Sequence, residues 1–315
     1  MEVRLYDAAG AGVILPALLR WEISYGFCDP CDSFEAEFLY APEMLETLKL
    51  GCRFAASEDG KTVFRGVVDE IELNAEASGC TARLNGRGMQ ALLLDSQAES
   101  GDYYGADTEF ILNRHVRPLG VTDIRLPANA GNRASLSVSS GESHWSVLNR
   151  FAEFCLGLRP RFTPEGTLVL DGAETGKILR VGADTPVTAQ RFTRERYGVI
   201  SSVIVKNRAA RSQVRVDNEA FQALGGQSIR VVNVPRYTAF DAMRHTGAYR
   251  IEKSQRGMDL CRLCLPVPFA AFPGDRLVLE QTPLGVRGTF LVEESRCFAR
   301  EDRAGTELTL RPTSE

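Results

Sequence analysis

The feature that most constrains the fold of this chain is a short pattern that occurs twice. Gly51-Cys52-Arg53-Phe54, a polar turn and Phe64-Arg65-Gly66-Val67-Val68 return near the C-terminus as Gly274-Asp275-Arg276-Leu277, a turn and Val286-Arg287-Gly288-Thr289-Phe290. The flanks repeat too. An alternating run precedes each copy (Phe34 to Tyr40; Leu260 to Leu265), a long strand with acids on one face follows (Val67 to Leu73; Phe290 to Phe298), and a Gly turn leads to a closing strand (Cys80 to Leu84; Thr306 to Leu310). A four-strand antiparallel unit used at both ends of the polypeptide is expected. Its markers are Gly51, Arg53, Arg65 and Gly66 in one copy, and Gly274, Arg276, Arg287 and Gly288 in the other.

A chain of 315 residues exceeds one ordinary domain, so two or three cores are expected. Basic and acidic side chains, 37 and 41, are spread along the sequence and nearly balance at a formal −4; this speaks against a sequence-specific nucleic-acid surface or a polybasic membrane patch. The N-terminus lacks the basic-then-apolar pattern of a secretion signal, and the apolar run from Gly12 to Leu19 is broken by Pro16 and too short to span a bilayer. The chain is therefore expected to be made and to fold in the cytosol, with its eight cysteines reduced.

Taken in order, residues 2–6 and 18–25 suggest an opening hairpin about the Gly-rich turn from Ala8 to Gly12. Phe34, Ala36, Phe38 and Tyr40 alternate with Glu35 and Glu37, as a half-buried strand requires. After Leu94 the character changes. Asp107 or Thr108 caps a helix to about Arg117, and Ser143 caps a second ending at Gly157, with Val147, Leu148, Phe151, Phe154 and Cys155 as its core stripe. Arg159 to Thr163 and Thr167 to Asp171 read as a hairpin. Strands are expected over Val199 to Val205, Gln213 to Val216 and Ile229 to Val234, and a helix from Thr238 to about His245. The fold class is mainly β (α+β): antiparallel β units at 1–95 and 176–315, with an α+β module inserted at 96–175.

Few residues point to chemistry. His115, His144 and His245 have no metal-ligand spacing and read as surface or helix-end residues. Cys28/Cys31 and Cys261/Cys264 form two Cys-x-x-Cys pairs, but the second lies in a strand, where residues three apart face opposite ways. Gly86-x-Gly88-x-x-Ala91 fits a loosened dinucleotide fingerprint without the βαβ crossover that gives it meaning. Asp69, Glu70, Glu72, Glu293 and Glu294 have the residue types of a glycosidase acid pair, yet alternating acids on strands are explained more simply by a solvated sheet face. No catalytic residue, cofactor or metal is assigned, and the chain reads as a non-enzyme. A cell-wall-targeting enzyme, or a glycan-binding surface module using Trp21, Trp145 and the Tyr103-Tyr104 pair, is the alternative.

Phe272-Pro273-Gly274-Asp275-Arg276-Leu277, Gly285 through Val292 and Gly305 through Leu310, together with Ser143 to Phe154 followed by Gly166 to Leu170, resemble the baseplate hub proteins of contractile-tailed phages and related injection systems. That group includes late-control protein D and the hub of T-even phages. The resemblance implies two tail-tube-like barrels per chain and a homotrimer, so that three chains offer six barrels to a sixfold tail tube and threefold symmetry to the spike. It implies the tail tube protein, the spike protein, other baseplate proteins and the tape-measure protein as partners. The expected location is the virion tail baseplate or an injection particle, assembled in the bacterial cytoplasm without membrane insertion. The acids Asp69, Glu70, Glu72, Glu293 and Glu294 become candidates for a channel-lining face that repels passing DNA.

Overall fold

The computed structural model describes residues 1–26, 31–126, 133–170, 176–234, 238 and 240–313. Cys28 of the first Cys-x-x-Cys pair and Asp171, the expected end of the hairpin, lie outside these residues.

In the first unit, β1 (Glu2–Tyr6), β2 (Gly12–Ile14), β3 (Leu18–Gly26), β4 (Ser33–Leu39), β5 (Arg53–Glu58), β6 (Lys61–Glu76) and β7 (Gly79–Gly88) follow in turn, with α1 (Leu45–Leu50) between β4 and β5. The strands line up β3-β4-β7-β6-β5-β1-β2. The opening hairpin differs from expectation: β1 pairs with β2 and β5, while β3 crosses to β4. The Asp7 carboxylate accepts the Ala9 and Ala11 amides, and Gly10 takes φ +84°, so the reversal completes itself within Asp7 to Gly12 and leaves β3 free to leave the hairpin. Alternation then packs one face: Phe34, Phe38, Phe54 and Phe64 are buried, with Phe54 stacked on Phe64 at 5.5 Å and tilted on Phe34 at 4.9 Å. Each such side chain contributes about 1.5–3 kcal/mol of burial.

The insert follows: α2 (Ala91–Leu94), β8 (Gly101–Ala106), α3 (Thr108–His115), β9 (Ile124–Arg125), β10 (Ala134–Val138), α4 (His144–Phe151), β11 (Arg161–Phe162) and β12 (Leu168–Val169). Both expected N-caps are present: Asp107 accepts the Phe110 amide at 3.0 Å and Ser143 that of Ser146 at 3.2 Å. The second helix does not stay α to its end; it widens to a π turn over Ala152–Leu156 before Gly157 closes it at φ +66°. Ile111, Leu112, Val147, Leu148, Phe151 and Cys155 share a core with Phe162 and Leu168 from the hairpin β11–β12.

Six strands build the second unit, β13 (Ile178–Val181), β14 (Ala189–Arg194), and then, after an interruption, four more. The interruption holds β15 (Ser202–Asn207), β16 (Ser212–Asp217), α5 (Glu219–Ala223), β17 (Ile229–Asn233) and α6 (Phe240–Gln255), which enclose a core of their own around Val203, Val205, Met243 and Ile251. The helix runs well beyond the expected end at His245. Gly247 does not break it; a Cβ there would stand 2.6 Å from Val216, so the missing side chain lets the helix lie directly on the sheet. The unit resumes with β18 (Asp259–Leu265), β19 (Arg276–Leu279), β20 (Gly288–Ala299) and β21 (Ala304–Pro312).

The two ends have the same plan. In the first unit the order is β3-β4-β7-β6-β5-β1, and in the second β14-β18-β21-β20-β19-β13. One difference is direction, since β1 runs antiparallel to β5 but β13 parallel to β19. Both units belong to one sheet, because the second half of β20 also pairs with β3, Glu294 opposite Gly26 through Ala299 opposite Trp21.

Register corrects the marker residues in detail. Arg53 and Arg276 open corresponding strands, and Val68 and Val292 donate to the carbonyls of the preceding Cys52 and Asp275. The Arg-Gly pairs do not correspond: Phe54 faces Gly66, whereas Leu277 faces Phe290, placing Arg287-Gly288 two positions earlier along its strand. Their glycines serve different purposes. A Cβ at Gly66 would lie 2.1 Å from the Arg87 carbonyl, while Gly288 has open space and a φ of +122°.

Candidate channel face and docking edges

A strand buried on one side presents every second residue on the other, and the shared sheet carries that rule across the seam between the units. On the outward face lie Arg20 and Glu22 of β3, Glu35 and Glu37 of β4, Arg83, Asn85 and Arg87 of β7, Glu70 and Glu72 of β6, Glu294 and Arg296 of β20, Glu307 of β21 and Arg262 of β18. The charges alternate. Arg20 sits 2.6 Å from Glu37 and Arg83 3.4 Å from Glu35, while Glu70 accepts from Asn85 at 3.0 Å. At the seam Arg296 grips Glu22 with two bonds, 2.7 and 2.8 Å, and reaches Glu307 at 3.3 Å; Arg300 adds a third donor to Glu22 at 3.1 Å. These arginine bonds hold the Glu22 carboxyl below its ordinary range against the opposing effect of burial.

The five acids singled out in sequence therefore divide. Glu70 and Glu72 are exposed on this face. Asp69 and Glu293 each occupy a bulge, between Val68 and Glu70 in β6 and between Val292 and Glu294 in β20. Each bulged acid takes an arginine from the neighbouring strand: Arg87 binds Asp69 through two bonds of 2.7 and 2.9 Å, and Arg311 donates to Glu293. Glu293 is only 5% exposed, so it is an internal ion pair and not a surface acid. The bulge explains the consecutive acids, since it shifts the strand by one residue and moves both neighbours out of simple alternation. Arg87 also binds Asp95 at 2.6 Å and holds that carboxyl below its usual range.

The other sequence candidates fall apart chemically. Cys261 is buried and Cys264 half-buried on the opposite side, as strand geometry requires; Cys28 lies outside the described residues, and burial pushes the Cys31 thiol up to about 12. Among the described residues no three His, Cys, Asp or Glu side chains are grouped to hold a metal ion. Gly86 belongs to an antiparallel strand where a Cβ would meet Phe54 at 2.4 Å, so it is a packing glycine. Trp21 and Trp145 pack against the cores of the first unit and the insert, Tyr103 lies edge-on to Phe110 at 5.1 Å, and only Tyr104 stands free at 79% exposure. Sequence reasoning missed the histidines' arrangement. His115 is buried, not superficial, and its Nδ1 lies 2.9 Å from that of His144; the helix-terminal spacing alone gave no sign of it.

Three strands of the sheet have one neighbour each among the described residues, β14 beside β18, β2 beside β1 and β13 beside β19. All three expose apolar side chains, Phe192 at 40% on β14, Val13 and Ile14 at 47% and 51% on β2, and Ile178 at 64% on β13. A free edge with exposed apolar groups is a template for pairing with another chain.

Residues 90–172 match the family described as baseplate hub protein gp44-like, second domain. The fold of the whole chain is that of a tail protein from Neisseria meningitidis MC58, at 17% identity and TM-score 0.78 over 99% of this chain and 95% of that one. The 43 kDa tail protein of prophage MuSo2 from Shewanella oneidensis is similar at 14% identity and TM-score 0.73, covering 99% and 98%. The c3393 protein of E. coli, a component of the type VI secretion system described as structurally similar to the T4 tail proteins gp27 and gp5, aligns at 14% identity and TM-score 0.62, covering 95% and 74%. No curated protein sequence matches the chain. Residues 90–172 thus resemble the second domain of gp44-like baseplate hub proteins, within a fold that the chain shares with these tail proteins along its whole length.

Proposed function

We propose that this protein is a structural hub of a tail baseplate or related injection particle, working as a homotrimer and not as an enzyme. The observation that carries the reading is the repeated strand order at the two ends, joined into one sheet by β20 and β3. Three chains would then present six like units, at 1–95 and 176–315, to a sixfold tail tube, while the module at 96–175 and the spike-facing side keep threefold symmetry. The free edges of β14 and β2 are the surfaces by which one chain would meet the next, head to tail, until the ring closes.

In this arrangement the outward sheet face lines the channel. Its alternating charges satisfy one another, so the wall offers a passing polyanion no concentrated positive field, and Glu70, Glu72 and Glu294 add local repulsion. The partners in this reading are tail tube protein above, spike protein below, other baseplate proteins around, and the tape-measure protein in the channel. Residence in a virion baseplate or injection particle, with assembly in the bacterial cytoplasm, is part of this reading. Light scattering of the purified protein, alone and mixed with tube protein, tests it; trimers or mixed rings support it, and a monomer indifferent to tube and spike proteins refutes it.

A further inference from the structure

Two strand edges away from the shared sheet face a common slot of about 350 Å³, bordered by Ser135, Leu136 and Ser137 of β10 on one side and Val232, Asn233 and Val234 beside β17 on the other. Among the described residues β10 pairs only with β8, and β17 only with β15. The hydrogen bonds fix which backbone groups look outward. Val234 donates to Lys206 and the Ser228 carbonyl accepts from Ser202, so even-numbered residues serve the pairing with β15. The N–H and C=O of Ile229, Val231 and Asn233 therefore point to the free edge. On β10, Arg150 donates to the Ser137 carbonyl at 2.7 Å, which marks the side turned from β8.

This edge is lightly guarded. β17 contains no proline or bulge, its single charge is the exposed Arg230, and it exposes Ile229 at 52% and Val231 at 54%. The slot is lined by Tyr249, Arg150, Glu153 and Arg250; among the described residues Arg250 has Glu153 as its ion partner at the long distance of 3.7 Å, while Arg150 is held by Glu142 at 2.9 Å and Arg230 adds a further positive charge on the edge strand. An added strand satisfies the backbone groups, alternate apolar side chains cover Val231 and Ile229, and a carboxylate satisfies Arg250.

We propose that this slot takes an extended, acidic segment of another polypeptide, which adds to the free edge of β17 as a further strand. The probe is a fluorescein-labelled peptide of sequence Thr-Val-Glu-Val-Thr-Val-Glu, titrated with the full chain and followed by anisotropy, beside a control with lysine at both glutamates. Saturable binding of the acidic peptide is expected. Val231→Pro removes one outward donor without touching the pairing to β15 and weakens binding about tenfold or more, Val231→Thr keeps it, and Arg250→Glu reverses the preference between the two peptides. Backbone N-methylation of the peptide's alternate residues abolishes binding to the unaltered chain, a measurement that needs no variant to fold. No saturable binding at millimolar peptide, or binding indifferent to both Val231→Pro and N-methylation, overturns the proposal. A change of oligomeric mass in Val231→Pro also overturns it, since the edge then belongs to a contact between copies of this chain.

Discussion

Acid should loosen the insert through one buried imidazole. His115 ends α3 and His144 begins α4, and their Nδ1 atoms lie 2.9 Å apart, so one nitrogen must donate and the other accept. His144 has a backbone partner in Gln97, whereas Nε2 of His115 is buried without one. The least costly assignment has His115 protonated at Nδ1 and donating, and His144 protonated at Nε2 and donating to Gln97. A further proton breaks the pair or charges a buried ring beside Arg114. Burial first, and then the neighbouring His144 and Arg114, lower the His115 pKa from 6.5 to about 4. Because the unfolded chain binds the proton more readily, this contribution is full above the unfolded value and is lost as pH falls from 6.5 towards 4. The loss amounts to about 2 kcal/mol near pH 5 and approaches ~3 kcal/mol below pH 4. Urea titrations at several pH values, read by Trp145 fluorescence in a Trp21→Phe background, measure it; Trp145 packs against Phe162 in the insert core. His115→Leu should flatten the pH dependence in that window. An imidazole titrating near 6.5 by NMR, or the same slope in His115→Leu, refutes the reasoning.

The two bulge pairs should respond unequally to losing their arginine. Arg311→Ala strands the buried Glu293 and should cost about 3–5 kcal/mol of stability, whereas Arg87→Ala frees the exposed Asp69 and Asp95 and should cost about 1 kcal/mol or less; chemical denaturation of both variants checks the contrast. Gly66→Ala forces a Cβ against the Arg87 carbonyl and should cost more than Gly288→Ala, which meets only the strain of its φ, as thermal melting would show. Glu22→Gln weakens the grip of Arg296 and Arg300 across the seam; hydrogen exchange at Trp21 to Ser24 should quicken while global stability falls by ~1 kcal/mol or less.

Much of the fold was legible because burial writes a period into the sequence. Phe34, Ala36 and Phe38 alternate as β4 does, and Asp107 and Ser143 cap the helices they appeared to cap. The repeat was visible in outline through Gly-x-Arg, but its register was not. The bulges at Asp69 and Glu293 that tie corresponding strands together look like ordinary acids in sequence, and their arginines come from β7 and β21. The length of α6 was not legible, since Gly247, a residue that weakens an isolated helix, is here what lets α6 approach Val216. Pairing of β20 with β3 joins residues almost a chain length apart, and no local pattern announces it. The outward face was legible as acids alone; the arginines that neutralise them became apparent only once neighbouring strands were in register.

The claim that one chain supplies two of six ring positions is tested most directly by the mass of the assembled particle. Sedimentation equilibrium of the full chain should give three copies, and images of the particle should show six similar lobes about a threefold axis. A persistent monomer, or a ring of six whole chains, contradicts it.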